Sequence, residues 1–161
     1  MVVMADKSVP TSDHIRDIIS FVEASPTSYH AVAELTRRLE QAGFQRLEET
    51  ESWPSVEGRR YVVRDGAVIA WITPEKVTPQ LGARIVGSHT DSPSFKLKPN
   101  ATVTNQGWQQ VGMEVYGGGL LNSWLDRDLG LSGRLVTCDG QAHLVRTGPI
   151  LRISQLAPHL D

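Results

Sequence analysis

The sequence predicts an α/β region that extends to about Pro99 and a mainly β region after it. Near the N-terminus, apolar residues recur twice at the spacing of an amphipathic helix, and the spacing then changes to the alternation of strands. From Lys96 onward no helical stripe recurs, and glycines interrupt the pattern. The 161 residues are 40% hydrophobic, which is enough to build a core. The fold class is therefore predicted to be α/β.

The first predicted helix begins with Thr11 or Ser12 as its cap and ends near Ala24. Residues 1–10, which precede it, are predicted to be a flexible tail. The helix has one apolar stripe at helical spacing, which is predicted to face the core: Ile15, Ile18, Ile19 and Val22.

The second predicted helix follows the break at Ser25-Pro26-Thr27-Ser28, which also supplies its cap. Its buried stripe is predicted at Val32, Leu35 and Leu39. Gly43 suits the first position beyond the helix, where a left-handed backbone is common.

Strands are predicted after the helices. Residues 44–47 form a short one, and the alternating residues on either side of Asp65-Gly66 indicate a hairpin. Residues 84–88 are short and apolar, as is typical of a central strand in a sheet. A second hairpin is predicted around Asp139-Gly140.

Charge and composition argue against several classes of partner. The 16 basic and 18 acidic residues give a net charge of −2, and neither end carries a block of one sign. We therefore expect no nucleic-acid partner and no membrane association. Cys138 is the single cysteine, so neither an internal disulfide nor a cysteine zinc cluster is expected, and a free thiol suits the cytosol.

His89 and Asp91 are the candidate pair for metal chemistry. In extended backbone, residues two apart point to the same side, so the carboxylate could fix the imidazole tautomer and raise its basicity towards a metal. The alternative is a histidine satisfied by a local turn, with Asp91 opening an Asx-turn before Pro93. On spacing alone the alternative is favoured, because a single His-x-Asp is a weak motif.

Three further features have structural interpretations. In Asp126-Arg127-Asp128, two carboxylates could perform acid–base chemistry, but we favour an arginine paired with one or both aspartates. Gly117-Gly118-Gly119 matches no phosphate-binding motif and predicts a bend or a close backbone approach. His159 alone is interpreted as a loop histidine. The remaining histidines are predicted to be structural: His14, His30 and His143.

Four blocks together resemble the aspartyl aminopeptidase family of dizinc metallopeptidases. They occur in the family's order and cover most of the chain from about Phe21. They are residues 21–33, residues 87–93 with His89-Thr90-Asp91, residues 111–119 running on through 124–129, and residues 149–153 with 159–160.

The resemblance implies two domains and three site residues. Residues 11–98 would begin a zinc-peptidase-like α/β sandwich catalytic domain, and residues 99–161 would be the first part of an inserted β-rich dimerisation domain. His89 would be the first zinc ligand, and Asp91 the catalytic aspartate that supports it. His159 would be a metal ligand or a substrate contact, reaching a neighbouring subunit's site.

The resemblance also implies an activity. The family forms cytoplasmic homo-oligomers, typically dodecamers, with two zinc ions (Zn2+) in each complete site. It removes N-terminal residues, preferably acidic ones, from peptide substrates. One departure concerns Pro158, which stands where the family tends to have isoleucine and stiffens the backbone before His159.

The family's other metal ligands and its general base would lie after Asp161. The chain is therefore expected to be the N-terminal part of the enzyme and inactive alone. Two alternatives remain open at this point. One is a non-catalytic oligomerisation module, and the other is a mononuclear zinc hydrolase that uses His89, His159 and a carboxylate such as Asp91.

Overall fold

A computed structural model describes residues 11–53, 57–76, 78, 82–157 and 159–160. The predicted tail at residues 1–10 lies outside them. The fold is mixed α/β, which confirms the predicted class. Contacts divide the described residues into two compact units: the first comprises those up to Thr90 with Gly133–Leu144, and the second comprises Asp91–Ser132 with those from Val145 onward. The predicted domains, residues 11–98 and 99–161, stay a prediction.

The two predicted helices are present. Helix α1 spans Thr11–Ala24 and helix α2 spans Ser28–Gln41. Thr27 caps α2, because its side chain accepts a hydrogen bond from the backbone N–H of His30 at 3.3 Å. Gly43 has a φ of 80° directly after the last helical turn, and the Phe44 N–H donates to the carbonyl of Leu39 at 2.9 Å.

The apolar stripe of α1 is exposed, contrary to the prediction. The side of α1 that meets α2 carries Asp17 and Phe21 instead. Arg38 of α2 donates to the Asp17 carboxylate at 2.7 and 2.9 Å, and its guanidinium lies 5.3 Å from the centre of the Phe21 ring. The four stripe residues are between 51% and 64% exposed: Ile15, Ile18, Ile19 and Val22.

A three-stranded sheet makes up much of the first unit besides the two helices. Strands β1 (Gln45–Arg46), β2 (Gly58–Arg64) and β3 (Ala67–Thr73) lie in that order, with β1 parallel and β3 antiparallel to β2. The β2–β3 hairpin turns at Asp65-Gly66, as predicted. Within the described residues, the buried apolar side chains all belong to α2 and β2: Ala31, Val32, Tyr61 and Val62.

Residues 84–88 do not form the predicted central strand. Residues 82–89 have no regular secondary structure, and Ile85 and Val86 are 89% and 98% exposed. A central strand needs a hydrogen-bonded neighbour on each side. None of the strands in the described part of the chain pairs with these residues, so the prediction is wrong for this structure.

A long hairpin dominates the second unit. Strands β4 (Ser94–Asn105) and β5 (Trp108–Tyr116) pair antiparallel around Gln106 and Gly107, both of which have a positive φ. The register shifts between Leu97 and Thr102, where Pro99 lacks the N–H that a regular ladder needs. A short 3₁₀ helix follows at Leu121–Trp124.

The second predicted hairpin is present. Strands β6 (Ser132–Val136) and β7 (Ala142–Arg146) pair with each other, and Gly140 in the turn has a φ of 82°. Within the described residues, neither α-helix is long and apolar enough to cross a membrane.

Candidate functional site

His89 lies at the end of the irregular segment 82–89, in the first unit, and is exposed. Its neighbour Thr90 is tied to the sheet, because the Thr90 hydroxyl donates to the backbone carbonyl of Gly66 at 2.6 Å. The turn between β2 and β3 therefore anchors the His89-Thr90-Asp91 motif at its central residue. This role of Thr90 was not predicted from the sequence.

Asp91 belongs to the second unit and is partly buried. The Tyr116 hydroxyl, at the end of β5, donates a hydrogen bond to Asp91 Oδ2. This hydrogen bond, together with the negative charge of Asp91, raises the pKa of Tyr116. Lys96 of β4 also contacts Tyr116, with its Nζ 3.5 Å from the centre of the Tyr116 ring.

The glycines after Tyr116 permit a close approach of two backbone segments. Gly117 has a φ of 72°, and a Cβ at this position would meet Pro93 Cβ at 3.3 Å. A Cβ at Gly119 would lie 3.5 Å from the same atom. The structure therefore confirms the predicted close approach, and it places Pro93 against these glycines.

The carboxylates of Asp126 and Asp128 hold a neighbouring segment rather than forming an acid–base pair. Arg152 Nη2 lies 2.6 Å from Asp128 Oδ1, and the Gln155 N–H donates to Asp126 Oδ1 at 3.2 Å. Arg127 donates instead to the Ser123 carbonyl at 3.1 Å. The structural interpretation is thus supported with one correction, because the arginine that pairs is Arg152 and not Arg127.

His159 is exposed in a turn of the second unit. Next to it, the Leu160 N–H donates to the Ala157 carbonyl at 2.8 Å. Pro158 lies outside the described residues, so its predicted stiffening of the backbone before His159 stays a prediction. The roles of His89, Asp91 and His159 therefore stay predictions.

The described residues do not by themselves form a metal site. Among them, no three His, Cys, Asp or Glu side chains are grouped so that they could hold a metal ion. A zinc site in a protein takes at least three protein ligands.

Comparison with known proteins identifies the family. The model of the Aminopeptidase I zinc metalloprotease (M18) family matches residues 21–161. The chain belongs to the M18 family of zinc metallopeptidases. The M18 chain is 54% identical over 149 residues to the "Probable M18 family aminopeptidase 2" of Streptomyces avermitilis, a match that covers 92% of this chain and 34% of that protein.

Two further similarities extend the comparison. The Streptomyces coelicolor protein of the same name is 51% identical over 149 residues, covering 92% of this M18 chain and 34% of the relative. The structure of the S. cerevisiae mApe1 dodecamer matches with a TM-score of 0.81 and 32% identity, covering 91% of this chain and 36% of that one. The M18 chain thus spans about a third of the length of these curated relatives.

These matches test some of the predictions made from the sequence. They confirm the predicted family resemblance and the α/β fold of an M18 peptidase. The aspartyl type of aminopeptidase stays a prediction, as do the number of zinc ions and the site residues.

Proposed function

We propose that this M18 chain is the first part of a zinc aminopeptidase that removes N-terminal residues, preferably acidic ones, from peptides in the cytoplasm. The single observation that carries the proposal is the family match over residues 21–161, which includes His89-Thr90-Asp91. The relatives named above are described as aminopeptidases, and their similarity covers nearly all of this chain.

In this proposal, His89 is a ligand of one of two zinc ions, and Asp91 orients its imidazole. His89 is exposed, and the Thr90 hydroxyl ties the next residue of the backbone to the carbonyl of Gly66. His159 is a further ligand or a substrate contact in a neighbouring subunit's site. The other ligands come from the part of the protein that corresponds to the remaining two thirds of the relatives.

The 161-residue chain is proposed to be inactive alone. Since Asp91 is assigned to orienting a ligand, the predicted site residues supply at most His89 and His159 to the metals. That number is below the three protein ligands of a catalytic zinc site. A zinc ion would supply charge stabilisation and an activated water in the complete enzyme.

A chimera tests the proposal. Residues 21–161 replace the aligned third of the S. avermitilis relative, and release of N-terminal residues is measured on peptides that begin with Asp, Glu or Leu. We expect chelator-sensitive activity that favours the acidic peptides. His89→Ala is expected to lower kcat/KM by about a thousandfold or more, because removing a ligand empties a catalytic metal position.

His143→Ala is the matched control, since His143 is an exposed histidine on β7 without an assigned role. It should retain the activity of the parent chimera. Equal activity of His89→Ala and His143→Ala would contradict the assignment of His89. Zinc-dependent activity of the 161-residue chain alone would contradict its proposed inactivity.

We also propose that the protein forms homo-oligomers. The similarity to the mApe1 dodecamer supports this proposal. The long β4–β5 hairpin supports it as well, because it presents Trp108, 73% exposed beside the turn, together with exposed Leu97 and Val115. Large exposed aromatic side chains are typical anchors of protein interfaces.

Sedimentation of the chain with and without chelator tests the association. We expect a species heavier than the 17.7 kDa monomer, insensitive to chelator, and a shift towards the monomer in Trp108→Ser. Ile69→Ser changes an apolar residue of similar exposure on β3 in the first unit and should leave the mass unchanged. A monomeric wild-type chain would contradict the proposal, whereas oligomers of an inactive chimera would favour the non-catalytic module.

A further inference from the structure

Tyr116 links two parts of the second unit that are distant in sequence. It is the last residue of β5, where it pairs with Ser94 at the start of β4. Its hydroxyl reaches back across 25 residues to donate to Asp91 Oδ2. The end of the hairpin is thus joined directly to the segment that carries Asp91.

The Tyr116 ring is held by a cation. Lys96 pairs with Glu114 in the β4–β5 ladder, so Lys96 and Tyr116 are diagonal neighbours across the two strands. Lys96 Nζ lies 3.5 Å from the centre of the ring, which is a cation–π geometry. The ring is therefore held by a contact that does not involve its hydroxyl.

The backbone after Tyr116 lies close to the same segment that the Tyr116 hydroxyl contacts. Gly117 has a φ of 72°, which side-chain-bearing residues adopt rarely. A Cβ there would be 3.3 Å from Pro93 Cβ and 3.4 Å from Pro93 Cγ. The bend at Gly117 and the bond from Tyr116 thus act on the same short segment, Asp91-Ser92-Pro93.

We propose that Tyr116 is a positioning residue that fixes the carboxylate of Asp91. A carboxylate has two oxygens with about four acceptor sites, so a bond at Oδ2 leaves capacity to accept an imidazole N–H. A fixed carboxylate presents that capacity in one orientation. The consequence for His89 rests on the proposed function, in which Asp91 sets the tautomer of that ligand.

Tyr116→Phe in the 161-residue chain removes the hydroxyl and keeps the ring beside Lys96. At neutral pH, NMR is expected to show a shifted carboxyl carbon of Asp91 and about tenfold faster amide exchange at Asp91 and Ser92, because a hydrogen bond to a charged group is lost. The NMR signals of the His89 ring nitrogens should change from those of one tautomer towards those of a mixture of the two tautomers. Tyr29→Phe is the control, since the Tyr29 ring lies against Arg134 in the first unit.

An unchanged Asp91 carboxyl signal in Tyr116→Phe would overturn the proposal. A changed Asp91 signal with unchanged signals from the His89 ring nitrogens would overturn it too, because Tyr116 would then only stabilise the segment Asp91-Ser92-Pro93. If Tyr116→Phe does not fold, Lys96→Met is expected to change both signals in the same direction by a smaller amount. These NMR signals do not depend on activity. A failure of the His89→Ala chimera test would therefore reject the proposed function, whereas the NMR signals decide independently whether Tyr116 fixes the carboxylate of Asp91.

Discussion

Replacing Tyr61 by alanine is expected to lower the free energy of unfolding of the first unit by about 3–5 kcal/mol, the usual cost of removing a buried aromatic side chain. Tyr61 is 0% exposed at the centre of β2. Its buried apolar companions in the described part of the chain are all smaller: Ala31, Val32 and Val62. The loss therefore approaches the whole stability of a small domain.

Tyr61→Phe separates the ring from its hydroxyl. The hydroxyl donates to the carboxylate oxygen Glu40 Oε1 at 2.6 Å, and the loss of this bond to a charged group should cost about 1.5–3 kcal/mol. Urea unfolding followed by circular dichroism measures both variants. A cost of Tyr61→Ala no greater than that of Tyr61→Phe would contradict the central place of this ring in the core.

The same pair of variants gives a pH dependence. Burial first, and then the bond to Glu40, raise the pKa of Tyr61 from 10.0 to about 12. Because the folded pKa lies above the unfolded one, this stabilisation is complete below pH 10.0 and is lost as the pH rises towards about 12. Tyr61→Phe should lack this component of the alkaline loss of stability.

Helix ends were predictable from sequence because they depend on short-range hydrogen bonds. Thr27 caps α2 through a backbone N–H three residues away, and Gly43 adopts the left-handed conformation directly after the helix. Asp65-Gly66 likewise turns a hairpin whose two strands are adjacent in sequence. In each case the residues that decide the geometry lie within a few positions of one another.

Burial was less predictable, because it depends on segments that are distant in sequence. The stripe that includes Ile15 and Ile19 has the correct spacing for a core-facing helix, yet α1 meets α2 through Asp17 and Phe21. Ile85 and Val86 are apolar enough for a central strand, but no described strand pairs with them. Periodicity identifies an apolar face and does not specify what covers it.

In the candidate site too, local features were predictable from the sequence and contacts between distant residues were not. His89 and Asp91 were a candidate pair from their spacing, but the resemblance of four blocks was needed to favour a metal-site role over a local turn. Tyr116 was inside one of those blocks, beside Gly117, and this was the available signal for its role. Its bond to Asp91 joins residues 25 positions apart, a separation that no local pattern encodes.

Gly130→Ala is expected to destabilise the second unit by about 1–3 kcal/mol, as overpacking in a fixed environment does. A Cβ on Gly130 would lie 2.9 Å from the Thr147 carbonyl oxygen and 3.1 Å from the Gly148 carbonyl oxygen. These are backbone atoms, and they cannot move aside as a flexible side chain would. Urea unfolding monitored at the amide signals of Leu129 and Leu151 measures the effect.

The surrounding hydrogen bonds explain why the backbone cannot relax. The Leu131 N–H donates to Thr147 Oγ1 at 2.9 Å, and the Thr147 N–H donates to the Leu131 carbonyl at 2.8 Å. Any shift that accommodates a methyl group at Gly130 lengthens these bonds. Gly133→Ala is the matched control, because a Cβ at Gly133 would meet no described atom within 4 Å apart from its chain neighbours. The stability of this variant should therefore remain close to wild type. Equal unfolding midpoints for the two variants would mean that the 147–148 backbone can yield, and that the close approach does not constrain this part of the second unit.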